Sequence, residues 1–369
     1  MTHRKFLSLL FIVCLTLSAC GDLTPTPPPQ PDDTSTPSAE LTPINLQVGY
    51  GVRGSWFELY FTDPANPLSS QGTGGVDGPL VEAMDAARLS IDVAAYSLSL
   101  NSVRYALIRA HERGVTVRVV MESTNMDRSD PQALIEAGIP IVGDGRQGLM
   151  HDKFMVIDRS EVWLGSMNFT DTGAYDDNNN MIRIRSEKIA ADFLQEFNEM
   201  FENDSFGPDI DPRTPNPTVE VDGTRVDVYF SPDDGVLNAL GLLLGNAEES
   251  IYFLAFSFTS NELGSLVRQK SAAGLDIKGV MDEEQIASNT GTEFDPFRQK
   301  GVDVLIDGND GQMHHKVFII DEKIVAFGSY NFSKSAEENN DEDLIVIYSP
   351  EIARQFILEF ERVRSHAHQ

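Results

Sequence analysis

Apolar residues recur along this chain in two rhythms, and each rhythm appears twice. Alternating runs such as Phe57-Glu58-Leu59-Tyr60-Phe61 and Val226-Asp227-Val228-Tyr229-Phe230 predict strands. The stretches 80–87 and 236–247 follow with helical spacing. Buried strands are expected around Val93 and Phe253. Second helices are expected over 103–113 and 263–273, each closed by a glycine, Gly114 or Gly274. Strands over 115–121 and 277–281 come next, then Lys153–Ile157 and Lys316–Ile320. The last helix of the first half carries Ile189, Phe193 and Phe197 one turn apart, and Ile352, Phe356 and Phe360 repeat that stripe.

The duplication covers whole lobes. Ser90-Ile91-Asp92-Val93 aligns with Ser250-Ile251-Tyr252-Phe253 at an offset of 160 residues, and Gly114 with Gly274 at the same offset. From Gly138 against Gly301 the offset is 163, so three residues are inserted between these points. Strands alternating with helices predict an α/β fold. Two similar lobes, 46–206 and 220–369, are expected to be related by a pseudo-two-fold axis, each with a mixed or mostly parallel sheet flanked by helices. The segment 207–219 holds four prolines and reads as the linker.

The N-terminus is a targeting segment. Arg4 and Lys5 precede an apolar run, 6–17, too short to span a bilayer as a mature helix. It ends in Leu17-Ser18-Ala19-Cys20, which resembles a bacterial lipobox. That resemblance implies a signal peptide over 1–19, cleavage before Cys20 and lipidation of its thiol. An ordinary signal peptide or a buried helix is the plainer reading. Residues 20–45, rich in Pro, Thr, Ser and Asp, are expected to be a disordered tether. The protein would then be exported and lipid-anchored at the bacterial cell envelope. Besides Cys20 there is only Cys14, in the removed segment, which leaves no disulfide and no Cys-based metal site. The net charge of −29 argues against long-range attraction of nucleic acid and against close approach to an anionic lipid surface. A small basic cleft inside such a body still suits a phosphate, because local charges dominate within a Debye length.

That cleft is written as a repeated word. His151-Asp152-Lys153-Phe154-Met155-Val156-Ile157-Asp158 and His314-His315-Lys316-Val317-Phe318-Ile319-Ile320-Asp321 both read H-x-K-x4-D. Gly165-Ser166-Met167-Asn168 and Gly328-Ser329-Tyr330-Asn331 follow at equal spacing. On a strand, residues i and i+2 share a face, so His151 projects with Lys153 and His314 with Lys316. Two histidines supply a nucleophile and an acid near neutral pH. Two lysines, with Ser166, Asn168, Ser329 and Asn331 as donors or supports, suit the non-bridging oxygens of a phosphodiester. Taken singly, a His-x-Lys is usually a solvated strand edge and a Gly-Ser-x-Asn a turn. Only their duplication raises them to a site.

Together the motifs resemble the phospholipase D superfamily over residues 55–365. The resemblance implies a metal-free, cofactor-free reaction in which one histidine forms a phosphohistidine and the other protonates the leaving group. By family habit His151 is the nucleophile and His314 the acid, though the order is open to reversal. Asp158 and Asp321 take supporting positions away from the phosphate, and His315 fills a variable position. A nucleophilic histidine needs an acid on its other ring nitrogen. Glu342, 28 residues after His314, fits that need; its counterpart in the first half is Asn179. Asp177 or the carbonyl of Asn179 is the substitute there. One chain should suffice for activity, as a monomer.

Three functions fit these residues. The first is a phospholipase D acting on a phospholipid, with the membrane held through Cys20. The second is an exported endonuclease for DNA or RNA using the same two histidines. The third is a non-catalytic binding scaffold. A nuclease should show a basic groove and a lipase an apolar rim.

Overall fold

The structure is a computed structural model that describes residues 41–208 and 212–369, all within one compact unit, Ala39–Gln369. The signal-peptide and lipidation readings, Cys20 included, lie outside the described residues, as does most of the expected tether.

Two sheets form, one in each half. The first contains β1 (Thr42–Asn45), β2 (Tyr50–Arg53), β3 (Phe57–Phe61), β4 (Ser90–Ala95), β5 (Thr116–Met121), β6 (Ile141–Gly143), β7 (Lys153–Ile157), β8 (Glu161–Gly165) and β9 (Asn180–Arg185). Its order is β1-β2-β3-β9-β8-β7-β4-β5-β6. The second contains β10 (Thr218–Val221), β11 (Thr224–Ser231), β12 (Ser250–Ala255), β13 (Asp276–Met281), β14 (Asp303–Ile306), β15 (Lys316–Ile320), β16 (Ile324–Gly328) and β17 (Glu342–Tyr348). Its order is β10-β11-β17-β16-β15-β12-β13-β14. Both sheets are mixed. β4–β5–β6 and β12–β13–β14 run parallel, joined by helical crossovers, and the remaining pairs are antiparallel. This is the expected α/β class, with equivalent strands in equivalent places.

Strand parity sorts the core into layers. On β7, Met155 and Ile157 pack outward with the helices Asp77–Ala86 and Asn101–Glu112. Phe154 and Val156 pack inward against the helix Glu187–Asn203. On β15, Phe318 and Ile320 face the second lobe's outer helices, while Val317 and Ile319 face inward. One inner core thus joins both sheets around the helices Glu187–Asn203 and Pro350–His366. The predicted phenylalanine stripes are its centre. Phe193 meets Phe154 of its own lobe and Phe230 of the other, each at 5.0 Å between ring centroids. Ser186 and Ser349 cap the two helices through the N–H groups of Ile189 and Ile352. Burying such a Phe stabilises by about 2–3 kcal/mol.

Three features depart from the sequence expectation. Residues 42–45, placed in the tether, are strand β1, whose register against Tyr50–Arg53 closes the edge of sheet one. The linker's last two residues, Thr218 and Val219, belong to β10. The hairpin strands β8 and β16 were not foreseen, because each ends in the Gly-Ser-x-Asn word that reads locally as a turn. At the C-terminus His366 ends a helix and His368 pairs with Ile306. The three-residue insertion falls where the turn Ser123–Asn125 of lobe one is replaced by the helix Glu283–Ser288.

Candidate active site

The histidines enter from two cross-lobe seams. Met150 forms a parallel bridge to Asp341, and Asn178 forms the equivalent bridge to Met313. The His151 N–H donates to the Asp341 carbonyl at 2.9 Å, and that of His314 to the Asn178 carbonyl at 3.0 Å. Each catalytic strand is therefore aligned by the opposite half. His151 is 7% exposed, His314 4%, and both lysines are fully buried.

Each histidine is also oriented by the opposite half. The Nδ1 of His151 lies 2.7 Å from Glu342 Oε2, and Asn340 donates to Glu342 Oε1. The Nδ1 of His314 lies 3.0 Å from both Asn179 Oδ1 and the Ser166 carbonyl. Asn179 Nδ2 donates to the Gly173 carbonyl, so its Oδ1 is the acceptor toward His314. His314 therefore carries its proton on Nδ1 and leaves the Nε2 lone pair free. Asn179 is thus an orienting residue through its side-chain carbonyl. Asp177 is not: its carboxylate accepts from the Gln312 N–H, because the Asn178–Met313 bridge draws residue 177 to the loop before His314.

The serines serve the orienting residues. Ser166 donates to Asn179 Oδ1 at 2.8 Å and accepts from the Asn180 N–H. Ser329 accepts from the Asp343 N–H at 2.9 Å and its hydroxyl also reaches Glu342. Both are support residues rather than free phosphate donors. The preceding glycines are needed because a Cβ on Gly165 or Gly328 would meet the carbonyl of Asn180 or Asp343 at 2.4 Å. Asn168 and Asn331 each keep a buried Oδ1 without a hydrogen-bond partner; that oxygen is an acceptor, so only the Nδ2 of each side chain could donate to a phosphate. Asp158 and Asp321 sit at the far strand ends, each accepting the N–H groups of three residues, 88–90 and 248–250.

Lys153 and Lys316 each donate to the carbonyl of the histidine two residues earlier. Each ammonium lies over an aromatic ring, Tyr96 at 5.2 Å or Phe256 at 4.5 Å. The same rings meet His151 and His314 edge to face at 4.8 and 4.6 Å. Sequence reading did not assign these two rings, although the 160-residue offset pairs them. It also missed Glu122 and Asp282, which accept the N–H groups of Met150 and Met313 just ahead of the histidines.

Burial sets the charge states. It lowers both histidines well below their usual range, and the two lysines beside them add to this. Burial pushes Glu342 up to about 7, against the pull of Lys153. It lowers Lys153 to about 8 and holds Lys316 well below its usual range, the latter also repelled by Lys153. The pocket thus holds two neutral imidazoles with outward lone pairs and two buried lysines whose cationic form an incoming anion would favour.

The family described as "Cardiolipin synthase, PLD-like domain" matches residues 80–201 and 242–364, one match on each lobe. The chain is 33% identical over 117 residues to the mitochondrial cardiolipin hydrolase of Mus musculus, covering 32% of this chain and 52% of that protein. It is 30% identical over 138 residues to a phospholipase D of Rickettsia conorii, covering 37% and 68%. The chain spans about half the length of the cardiolipin hydrolases it matches. Among solved structures, phosphatidylserine synthase of Haemophilus influenzae superposes with a TM-score of 0.62 at 13% identity, over 80% of this chain and 86% of that one. That likeness is one of fold.

Proposed function

Because the chain belongs to the phospholipase D-like family, we propose that its two lobes form one site that cleaves or transfers the phosphodiester of a phospholipid through a phosphohistidine. The observation that carries this is the reciprocal holding of the histidines: each Nδ1 is bonded by the opposite lobe, which leaves each Nε2 free. His151 is the nucleophile. Its Glu342 carboxylate stabilises the positive charge that the ring gains when Nε2 bonds phosphorus. His314, held by a neutral amide, is the acid. It takes up a proton as the phosphodiester anion arrives, gives it to the leaving oxygen, and then removes one from water or an alcohol. Lys153 and Lys316, with the amides of Asn168 and Asn331, hold the non-bridging oxygens. The names of the relatives that match, cardiolipin hydrolase and phospholipase D, support a lipid substrate. The acidic body weighs against a nucleic acid and against an anionic lipid surface alike. The anchor at Cys20 and an envelope location belong to the same reading; they place the site beside a membrane.

The test uses the body from residue 41 onward, which keeps β1 whole, with phospholipid vesicles in excess EDTA. Phosphatidic acid should form with the wild type and with neither His151→Ala nor His314→Ala. Folded wild-type protein that forms none, yet cleaves single-stranded DNA in the same buffer, would move the substrate to nucleic acid. Radiolabelled palmitate incorporated by the full chain, and lost in Cys20→Ser, tests the anchor.

A further inference from the structure

Below the lysines, on the strand faces turned toward the central helices, the two halves diverge. In the second half His315 is fully buried, with Nδ1 2.8 Å from Asn180 Nδ2 and Nε2 2.8 Å from Glu359. Glu359 is bonded in turn by Arg362 and Tyr50. Every member of this floor has a partner. The 163-residue offset maps His315, Asn180 and Glu359 onto Asp152, Asp343 and Glu196. Where one floor has an imidazole, an amide and a carboxylate, the other has three carboxyl groups.

The register settles how the first two meet. Two residues beyond the bridge Asn178–Met313 stand Asn180 and His315, which are bonded to each other. Two residues beyond the equivalent bridge Met150–Asp341 stand Asp343 and Asp152. Both are fully buried; neither carboxylate oxygen of Asp152 has a hydrogen-bond partner, and Asp343 has only Ser329 beside its carboxyl. Two carboxyl groups facing each other in a dry site share a proton, because both cannot ionise.

We propose that Asp152 and Asp343 form a proton-sharing pair whose remaining negative charge keeps the Lys153 ammonium charged, which makes Lys153 the principal cation for the phosphodiester. The two aspartates are positioning residues that act through Lys153. The phosphate part of this statement rests on the phosphodiesterase reading; the counter-charge part does not. Several other charged groups face the pair. Lys153 adjoins it on β7, Glu342 and Asp341 stand on and just before β17, and Glu196 reaches it from the helix Glu187–Asn203. Glu196 itself feels Glu199 and Asp233. Of these only Lys153 is cationic, so the pair's charge falls on it. Lys316 has Asn179 and Asn180 in the corresponding places. Burial lowers both lysines; Glu342, Asp343 and Asp152 hold Lys153 up, whereas Lys316 is held up by Glu342, Asp177 and Asp282 and pushed down by Lys153.

Asp343→Asn copies the second lobe's Asn180, and Asp152→Asn removes the other half of the pair. Each would be titrated with ¹³Cε-labelled lysine, Lys153 being assigned by its loss in Lys153→Arg, and KM and kcat would be followed from pH 6 to 10 on bis(p-nitrophenyl) phosphate. In either folded variant the Lys153 midpoint should fall by about one pH unit. The alkaline rise in KM should move with it, while kcat at its plateau stays within about threefold. An unmoved Lys153 midpoint in the folded variants overturns the proposal. A midpoint that moves while the wild type turns over no phosphodiester would instead sink the phosphodiesterase reading and leave the counter-charge standing.

Discussion

Glu342 of the second lobe lies 2.7 Å from the Nδ1 of His151 in the first, whereas His314 finds only the neutral Asn179 in the equivalent place. The repeat is therefore symmetric in backbone and asymmetric in charge. A carboxylate stabilises a ring that becomes cationic, and an amide only orients it. That difference separates a nucleophile from an acid within one pseudo-symmetric site.

Glu342→Gln should lower kcat by about 100-fold with little change in KM, since it removes charge stabilisation but keeps the ring's geometry. Asp177→Asn should stay within about twofold of wild type, because residue 177 bonds a backbone N–H and no histidine. Steady-state kinetics of the two variants side by side would check both. Equal losses would reject the assignment of Glu342 as the orienting acid.

Anion binding should be accompanied by proton uptake. Burial and the neighbouring lysines keep His314 neutral in the free protein at pH 7. A phosphate dianion analogue such as vanadate supplies the missing negative charge and raises the ring's proton affinity. Calorimetry in buffers of different ionisation enthalpy should read close to one proton taken up by wild type and none by His314→Asn.

Thermal stability should fall as pH rises from 6.5 to 8.5. Burial raises Glu342, Asp343 and Asp233 to about 7, and lifts Asp152 and Glu196 well above their usual range. A carboxyl raised above its unfolded value binds more protons folded than unfolded. Its contribution is complete below the unfolded value and lost as pH passes the folded one. The lowered lysines, Lys153 and Lys316, work in the opposite direction, but they are two against five. The lowered histidines, His151, His314 and His315, also oppose the fall between pH 6.5 and about 7.5, where the unfolded rings lose their last protons, and the five carboxyls outweigh them. A melting temperature higher at pH 8.5 than at 6.5 would contradict this account.

Asp158→Ala should destabilise the fold by about 2 kcal/mol while leaving kcat within about threefold. The change leaves the N–H groups of Arg88, Leu89 and Ser90 without their acceptor and places a β-carbon residue lacking a polar side chain at φ 52°. Urea unfolding monitored alongside activity separates the two effects. Asp321→Ala should behave the same way in the second lobe.

Much of this molecule is legible in its sequence because the information is local. The i, i+2 spacing of His151 and Lys153 is enough to place them on one strand face. The stripes Ile189-Phe193-Phe197 and Ile352-Phe356-Phe360 announce helices with one buried side, and Gly114 and Gly274 close helices at φ 87° and 94°. The equal spacing of the two words announces a duplicated lobe. Each of these relations holds within a few residues or is copied from one half to the other.

The tertiary structure decided what crosses between the halves. Glu342 follows His314 in the chain yet bonds His151, and Asn179 follows His151 yet bonds His314. Ser166 and Ser329 look like phosphate donors until β9 and β17 bring residues 179, 180, 342 and 343 against their hydroxyls. Asp152 and His315 occupy the same variable slot of the same word, and only the cross-lobe register shows one facing Asp343 and the other Asn180. Sequence spacing carries the periodicity of strands and helices. It does not carry which residue, some 190 positions away, closes a hydrogen bond once two sheets share one core.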